Sequence, residues 1–223
     1  MNVSTILEDE EPPPPYAAID PMERPTLILP RPTLIMPRPA QPRYAVCTPG
    51  QLGELLDSLE RGHVARVERF LEENPSFDIS SDMSNGELKT PLHVACRTGS
   101  PYLIAVLLRH PAIEVNRRNK FGATPIFVAC SYGNLRVVEL LLGSPDVDIN
   151  VAAEDGRTPL WIASYYGYTK VMKLLMYSGK QPDALKIATY FGEELSVVQA
   201  AASRGRLEAV SLLESYLSVL GKA

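Results

Sequence analysis

Cysteine, histidine and tryptophan are scarce in this chain: 3 Cys, 3 His and 1 Trp among 223 residues. Three cysteines cannot build a disulfide framework, so a reducing compartment is expected, either cytoplasmic or nuclear. His63, His93 and His110 are scattered, and no Cys or carboxylate recurs with them at metal-ligand spacing. There is no Gly-rich phosphate loop and no Ser or Cys nucleophile in a motif. Glu72-Glu73 and Glu193-Glu194 read as solvated charges rather than an acid/base pair. No catalytic, cofactor or metal site is therefore expected, and an enzyme is a remote alternative.

Long apolar runs are missing too, with none near the roughly 20 residues that cross a bilayer. The first ten residues turn acidic too early for a signal peptide, and Asn2 stands where myristoylation requires glycine. Basic excess is absent: the net charge is -4 and the pI near 5.5, which argues against nucleic acid held by phosphate contacts. No membrane and no nucleic-acid partner is expected.

What the chain does have is a repeat. Thr90-Pro91-Leu92-His93-Val94-Ala95 returns 34 residues later as Thr124-Pro125-Ile126-Phe127-Val128-Ala129, and after another 34 as Thr158-Pro159-Leu160-Trp161-Ile162-Ala163. A glycine follows each copy at one offset (Gly99, Gly133, Gly167), then a leucine-rich run: Val106-Leu107-Leu108, Leu140-Leu141-Leu142, Leu174-Leu175-Met176. A period of this size indicates stacked supersecondary units. Threonine suits an N-cap and proline the first helical position. The glycine permits a left-handed turn to a second helix, whose apolar residues (Leu135, Val138, Leu141, Leu142) fall at helical spacing. Asp155-Gly156 marks a tight turn between units.

In these residues the chain resembles the ankyrin-repeat family over about three quarters of its length. A tetratricopeptide repeat shares the period but would want a Trp and a Leu-Gly pair early in its first helix. Each unit is one residue longer than the usual ankyrin length, and the addition falls in Pro111–Glu114 and Ser144–Val147. The fold expected is all-α, a solenoid of about five repeats (units near 49–83, 84–117, 118–151, 152–186 and 187–220) behind a tail. Leu55, Leu59, Val64, Val67, Phe70 and Leu71 outline a first unit without its Thr-Pro motif. The pattern loosens through Lys180–Glu194 and returns at Val197–Ala202 with Gly205, Leu207, Val210, Leu212 and Leu213, a C-terminal cap reached through an insertion of about four residues. Cys96 and Cys130, with Ser164 and Ala202 as later counterparts, read as small residues at helix contacts. Cys47 lies in the tail with no group to activate it.

Residues 1–48 read as a disordered, Pro-rich tail, since 12 of the 20 prolines fall between Pro12 and Pro49. Pro13, Pro14 and Tyr16 make the Pro-Pro-x-Tyr pattern of WW-domain ligands, in which a preformed polyproline II helix docks at small entropic cost. A plain linker is the alternative. Arg24–Pro30 is repeated as Arg31–Pro37, either a bivalent docking peptide or a slipped spacer. Pro39-Ala40-Gln41-Pro42 lacks the basic residue of an SH3 ligand.

The resemblance implies protein–protein interaction, with partners gripped by the turn tips and by the two residues before each mid-repeat glycine. The inner-helix positions are Glu60 and Arg61, Arg97 and Thr98, Ser131 and Tyr132, Tyr165 and Tyr166, Ser203 and Arg204. The tip positions are Glu87 and Lys89, then Lys120, Phe121 and Ala123, then Glu154, Asp155 and Arg157. It also implies that His93 braces the turn, and Phe127 and Trp161 stand in that place later. Phe121, Phe127, Tyr132, Trp161, Tyr165 and Tyr166 would then line one side of a groove, as interface anchors do. The alternative at Phe127 and Trp161 is burial between repeats. Leu88 stands where Gly122 and Gly156 stand later, which leaves that turn open. Tip charges change from basic (Arg117, Arg118, Lys120) to acidic (Glu154, Asp155), suiting either a partner with charges of both signs or a solvated surface. The expected role is a monomeric adaptor or scaffold; a sequestering inhibitor, or a targeting subunit recruiting a WW-containing ubiquitin ligase, are the other readings.

Overall fold

A computed structural model describes residues 49–75, 77–80, 82, 89–184, 186–190 and 192–221. Pro13, Pro14 and Tyr16, the duplicated heptad, Cys47, Glu87 and Leu88 lie outside the described residues. The elements in chain order are α1 (Pro49–Glu60), α2 (Val64–Glu73), α3 (Pro91–Thr98), α4 (Pro101–Leu108), α5 (Pro125–Ser131) and α6 (Leu135–Leu142). They continue with α7 (Pro159–Tyr166), α8 (Thr169–Met176), β1 (Ile187–Tyr190), β2 (Glu193–Ser196), α9 (Val197–Ser203) and α10 (Leu207–Val219). The odd-numbered helices pack in sequence, each on the next, and so do the even-numbered ones, giving two helical layers. Their shared core holds Leu59, Leu92, Leu103, Ile126, Leu141, Leu160 and Leu175, all at or near zero exposure.

The Thr-Pro motif starts the inner helices as its chemistry dictates. Thr124 and Thr158 are buried in extended backbone, and their Oγ1 atoms accept the N–H of Phe127 (3.4 Å) and Trp161 (3.2 Å). Losing such a cap costs about 1 kcal/mol. In the second unit the side chain of His93 takes part instead: its Nδ1 accepts the N–H of Thr90 at 3.2 Å, and its Nε2 donates to Ala123 O at 3.1 Å. That carbonyl can only accept, which fixes the tautomer. Cys96, Cys130 and Ser164 are fully buried in the inner layer, and both thiols are free.

The first three units are each also sewn to the next by a polar side chain that the repeat motif did not reveal. Ser80 donates to Ala112 O and accepts the N–H of Glu114; Asn116 donates to Asp146 O and accepts the N–H of Asp148. Asn150 does the same with Gln181 O and the N–H of Asp183. The bonds of Ser80 and Asn116 grip the loops that carry the additional residue. Lys180 adds a further clasp, its ammonium donating to the carbonyls of Ser144, Pro145 and Val147 at 2.8–3.1 Å.

The all-α expectation needs one amendment. Where the pattern loosens, β1 and β2 pair as an antiparallel hairpin with Ile187 opposite Ser196 and Tyr190 opposite Glu193. Ile187-Ala188-Thr189-Tyr190 is rich in β-branched and aromatic residues, and Gly192 turns the chain at φ 82°. The insertion thus lengthens the tip of the last unit.

Candidate functional site

The turn tips of the later units are joined edge to edge. Asn119 shapes the first of them, its Oδ1 accepting the N–H groups of Phe121 (2.9 Å) and Ala123 (3.0 Å). The N–H of Glu154 then donates to Phe121 O at 3.0 Å, and the N–H of Thr189 to Asp155 O at 2.8 Å. Gly122 sits at φ 73° so close to the next tip that an added Cβ would lie 2.9 Å from the backbone N of Glu154. Only glycine combines that conformation with that approach. The row of tips faces the inner helices, and between them lies a cleft of about 430 Å³.

Phe121 is 58% exposed at one lip, with the Lys120 ammonium 4.9 Å from its ring centre, and Tyr132 is 38% exposed at the other. Phe127 forms the floor and is nearly buried. Arg97, Ser131, Glu154, Asp155 and Arg157 also border the cleft, as does Lys89. Arg97 donates to Glu60 at 2.6 Å, both side chains being about half exposed. The hydroxyls of Thr98 and Ser131 turn back onto Ala95 O and Val128 O within their own helices. Asp155 is occupied by Arg157, which donates to it from both its backbone N–H and its guanidinium.

The aromatic row does not stay open into the fourth unit, and here the expectation is corrected. Trp161 has no exposed surface and Tyr165 is 8% exposed. Their rings stack at 5.4 Å, and Tyr190 of β1 packs edge-on against both, at 5.5 and 5.1 Å. Arg157 lies over Tyr190 at 4.8 Å and Arg204 over Tyr165 at 5.1 Å. The elongated hairpin therefore covers this end of the groove. Tyr166 remains half-buried against Tyr165 and Tyr168. Burial, and next a hydrogen bond with Tyr165, push the Tyr190 phenol up to about 12. Phe127 and Trp161 thus follow the buried alternative.

Trp161 nevertheless does what His93 does. Its Nε1 donates to Leu195 O at 2.9 Å, and Leu195, like Ala123, directly precedes the N-cap of the next inner helix. Phe127 cannot donate, and Arg157 lies over its ring at 5.8 Å. Nothing in the repeat motif pointed to Tyr190 or Asn119. Asn116 and Asn150 could have been found from their spacing of 34.

Burial raises the thiol pKa of both Cys96 and Cys130, which leaves them as unreactive packing groups. Among the described residues no group of three or more His, Cys, Asp or Glu is placed to hold a metal ion. No described helix is long and apolar enough to cross a membrane.

Comparison with known families agrees with this geometry. Residues 113–186 match the family model described as ankyrin repeats (3 copies), and residues 87–120 match that of a single ankyrin repeat. No curated protein matches the chain. Such repeats are interaction modules that bind other proteins and are generally without catalysis. From residue 87 to residue 186 the chain is built of ankyrin repeats.

Proposed function

We propose that this protein is a non-catalytic adaptor. It holds one partner in the cleft of its second to fourth repeats, while its tail offers Pro13, Pro14 and Tyr16 to a WW-domain protein. The domain division that goes with this role is a tail over 1–48 and a repeat domain over 49–220. One observation carries the reading of the cleft: Phe121 and Tyr132 stay exposed on its two lips over the nearly buried Phe127. Exposed aromatic side chains over a preformed concavity are the usual anchors of protein interfaces, each contributing about 2 kcal/mol or more. Arg97, Thr98, Lys120, Ser131, Glu154, Asp155 and Arg157 then form its polar rim. Trp161, Tyr165 and Tyr166 support that rim from beneath the hairpin.

The test uses the full chain as bait in an affinity capture from cell extract, beside a Phe121→Ala, Tyr132→Ala variant and an isolated WW domain. The variant is expected to lose the cleft partner, keep the WW domain, and unfold within about 1 kcal/mol of the parent, because both positions are on the surface. Retention of every captured protein by the variant would refute the assignment of the cleft. Tyr165→Ala would not serve, since truncating a buried aromatic costs about 3 kcal/mol or more.

A further inference from the structure

We infer that the cleft selects a short peptide segment in which an apolar anchor is flanked by a carboxylate on one side and a basic side chain on the other. The inference rests on the reading of the cleft as the partner site and goes on to name the chemistry of the occupant.

The charges around the apolar centre are unequal in how far they are already committed. Toward α3 stands Arg97, whose bond to Glu60 joins two side chains about half exposed. Such surface pairs contribute little, so exchanging Glu60 for a partner's carboxylate is cheap. Toward α7 the two acidic residues differ. Asp155 is held by Arg157, whereas the exposed carboxylate of Glu154 has no hydrogen bond or ion pair among the described residues.

The groove also ends there. Tyr190, with Arg157 over its ring, closes the space above Trp161 and Tyr165. A bound segment therefore cannot continue along the inner face of the fourth repeat, and Glu154 is the last group it meets. Charges of opposite sign at the two ends of an apolar cleft fix the direction of the bound segment, because the reversed one would set like charges together. The anchor enters between Phe121 and Tyr132, its acidic flank toward Arg97 and its basic flank toward Glu154.

The experiment pans a displayed library of random short peptides against the full chain and then measures one consensus peptide by fluorescence anisotropy. Enriched peptides are expected to share an apolar pair with an acid on one side and a base on the other. Glu154→Lys should weaken the consensus peptide about tenfold. Replacing that peptide's basic residue with Glu should restore binding to the Glu154→Lys variant. If enrichment depends on Phe121 and Tyr132 but shows no charge order, this inference is overturned and the cleft remains the partner site. Enrichment indifferent to Phe121→Ala, Tyr132→Ala overturns both, and a library yielding no binder overturns the inference alone.

Discussion

His93 is built into the fold as a neutral ring, and protonation must break something. Its Nδ1 accepts the N–H of Thr90 and lies 2.9 Å from the Thr90 hydroxyl, while its Nε2 donates to Ala123 of the next unit, so protonating Nδ1 takes away the acceptor of the Thr90 N–H. Burial is the main cause that lowers its pKa to about 4, partly offset by the bonds it makes to backbone carbonyls. Because the folded value lies below the unfolded value near 6.5, the unfolded chain binds the proton more readily between the two. The contribution is full above pH 6.5 and is lost as the pH falls toward 4, at up to about 1.4 kcal/mol per pH unit. Urea unfolding of the parent and of His93→Gln, followed from pH 7 to pH 4, should show the parent losing stability more steeply. Parallel curves would mean that His93 does not titrate in the fold. Trp161 makes the equivalent bond to Leu195 without any titratable group, so the fourth unit gains the same link free of this pH dependence.

At the scale of elements, the tips decide where the cleft is. Gly122 and Gly179 both have φ between 70° and 80°, yet a Cβ at Gly122 would meet the Glu154 backbone, while nothing lies within 4 Å at Gly179. Gly→Ala at either site incurs the left-handed penalty of roughly 1–2 kcal/mol. Gly122→Ala should cost about 1 kcal/mol more, by the clash with the next tip. Equal losses in thermal unfolding would show that the tips can separate freely. Much of this architecture was legible in the chain, because Thr-Pro caps and turn glycines act locally and repeat at 34 residues. The helix pairs, the buried cysteines and the exposed Phe121 and Tyr132 could be read that way. The fate of Trp161 and Tyr165 could not. Their burial depends on Tyr190, which sits in a stretch where the motif lapses and a hairpin replaces the short turn. A periodic reading gives every unit the same exposure, and it fails where one unit departs from the period.

For the whole molecule, contacts run from each unit to its neighbour, so stability is close to a sum of unit and interface contributions. Units flanked on both sides gain two interfaces and terminal ones gain one. The helices α5 and α7 each pack against two inner helices, whereas α1 packs against α3 alone in that layer. The C-terminal end is weaker in local chemistry too, since α10 finishes with Val219 and Leu220 exposed. Native-state hydrogen exchange should therefore be slowest in α5 and α7, and fastest in α1, α2 and the last turn of α10. Uniform protection from α1 to α10 would instead mean that the stack opens as one cooperative unit. The expected gradient bears on binding, since the cleft lies on the central units. A partner docking there meets groups already held in place, and less of its interaction energy is lost in ordering them.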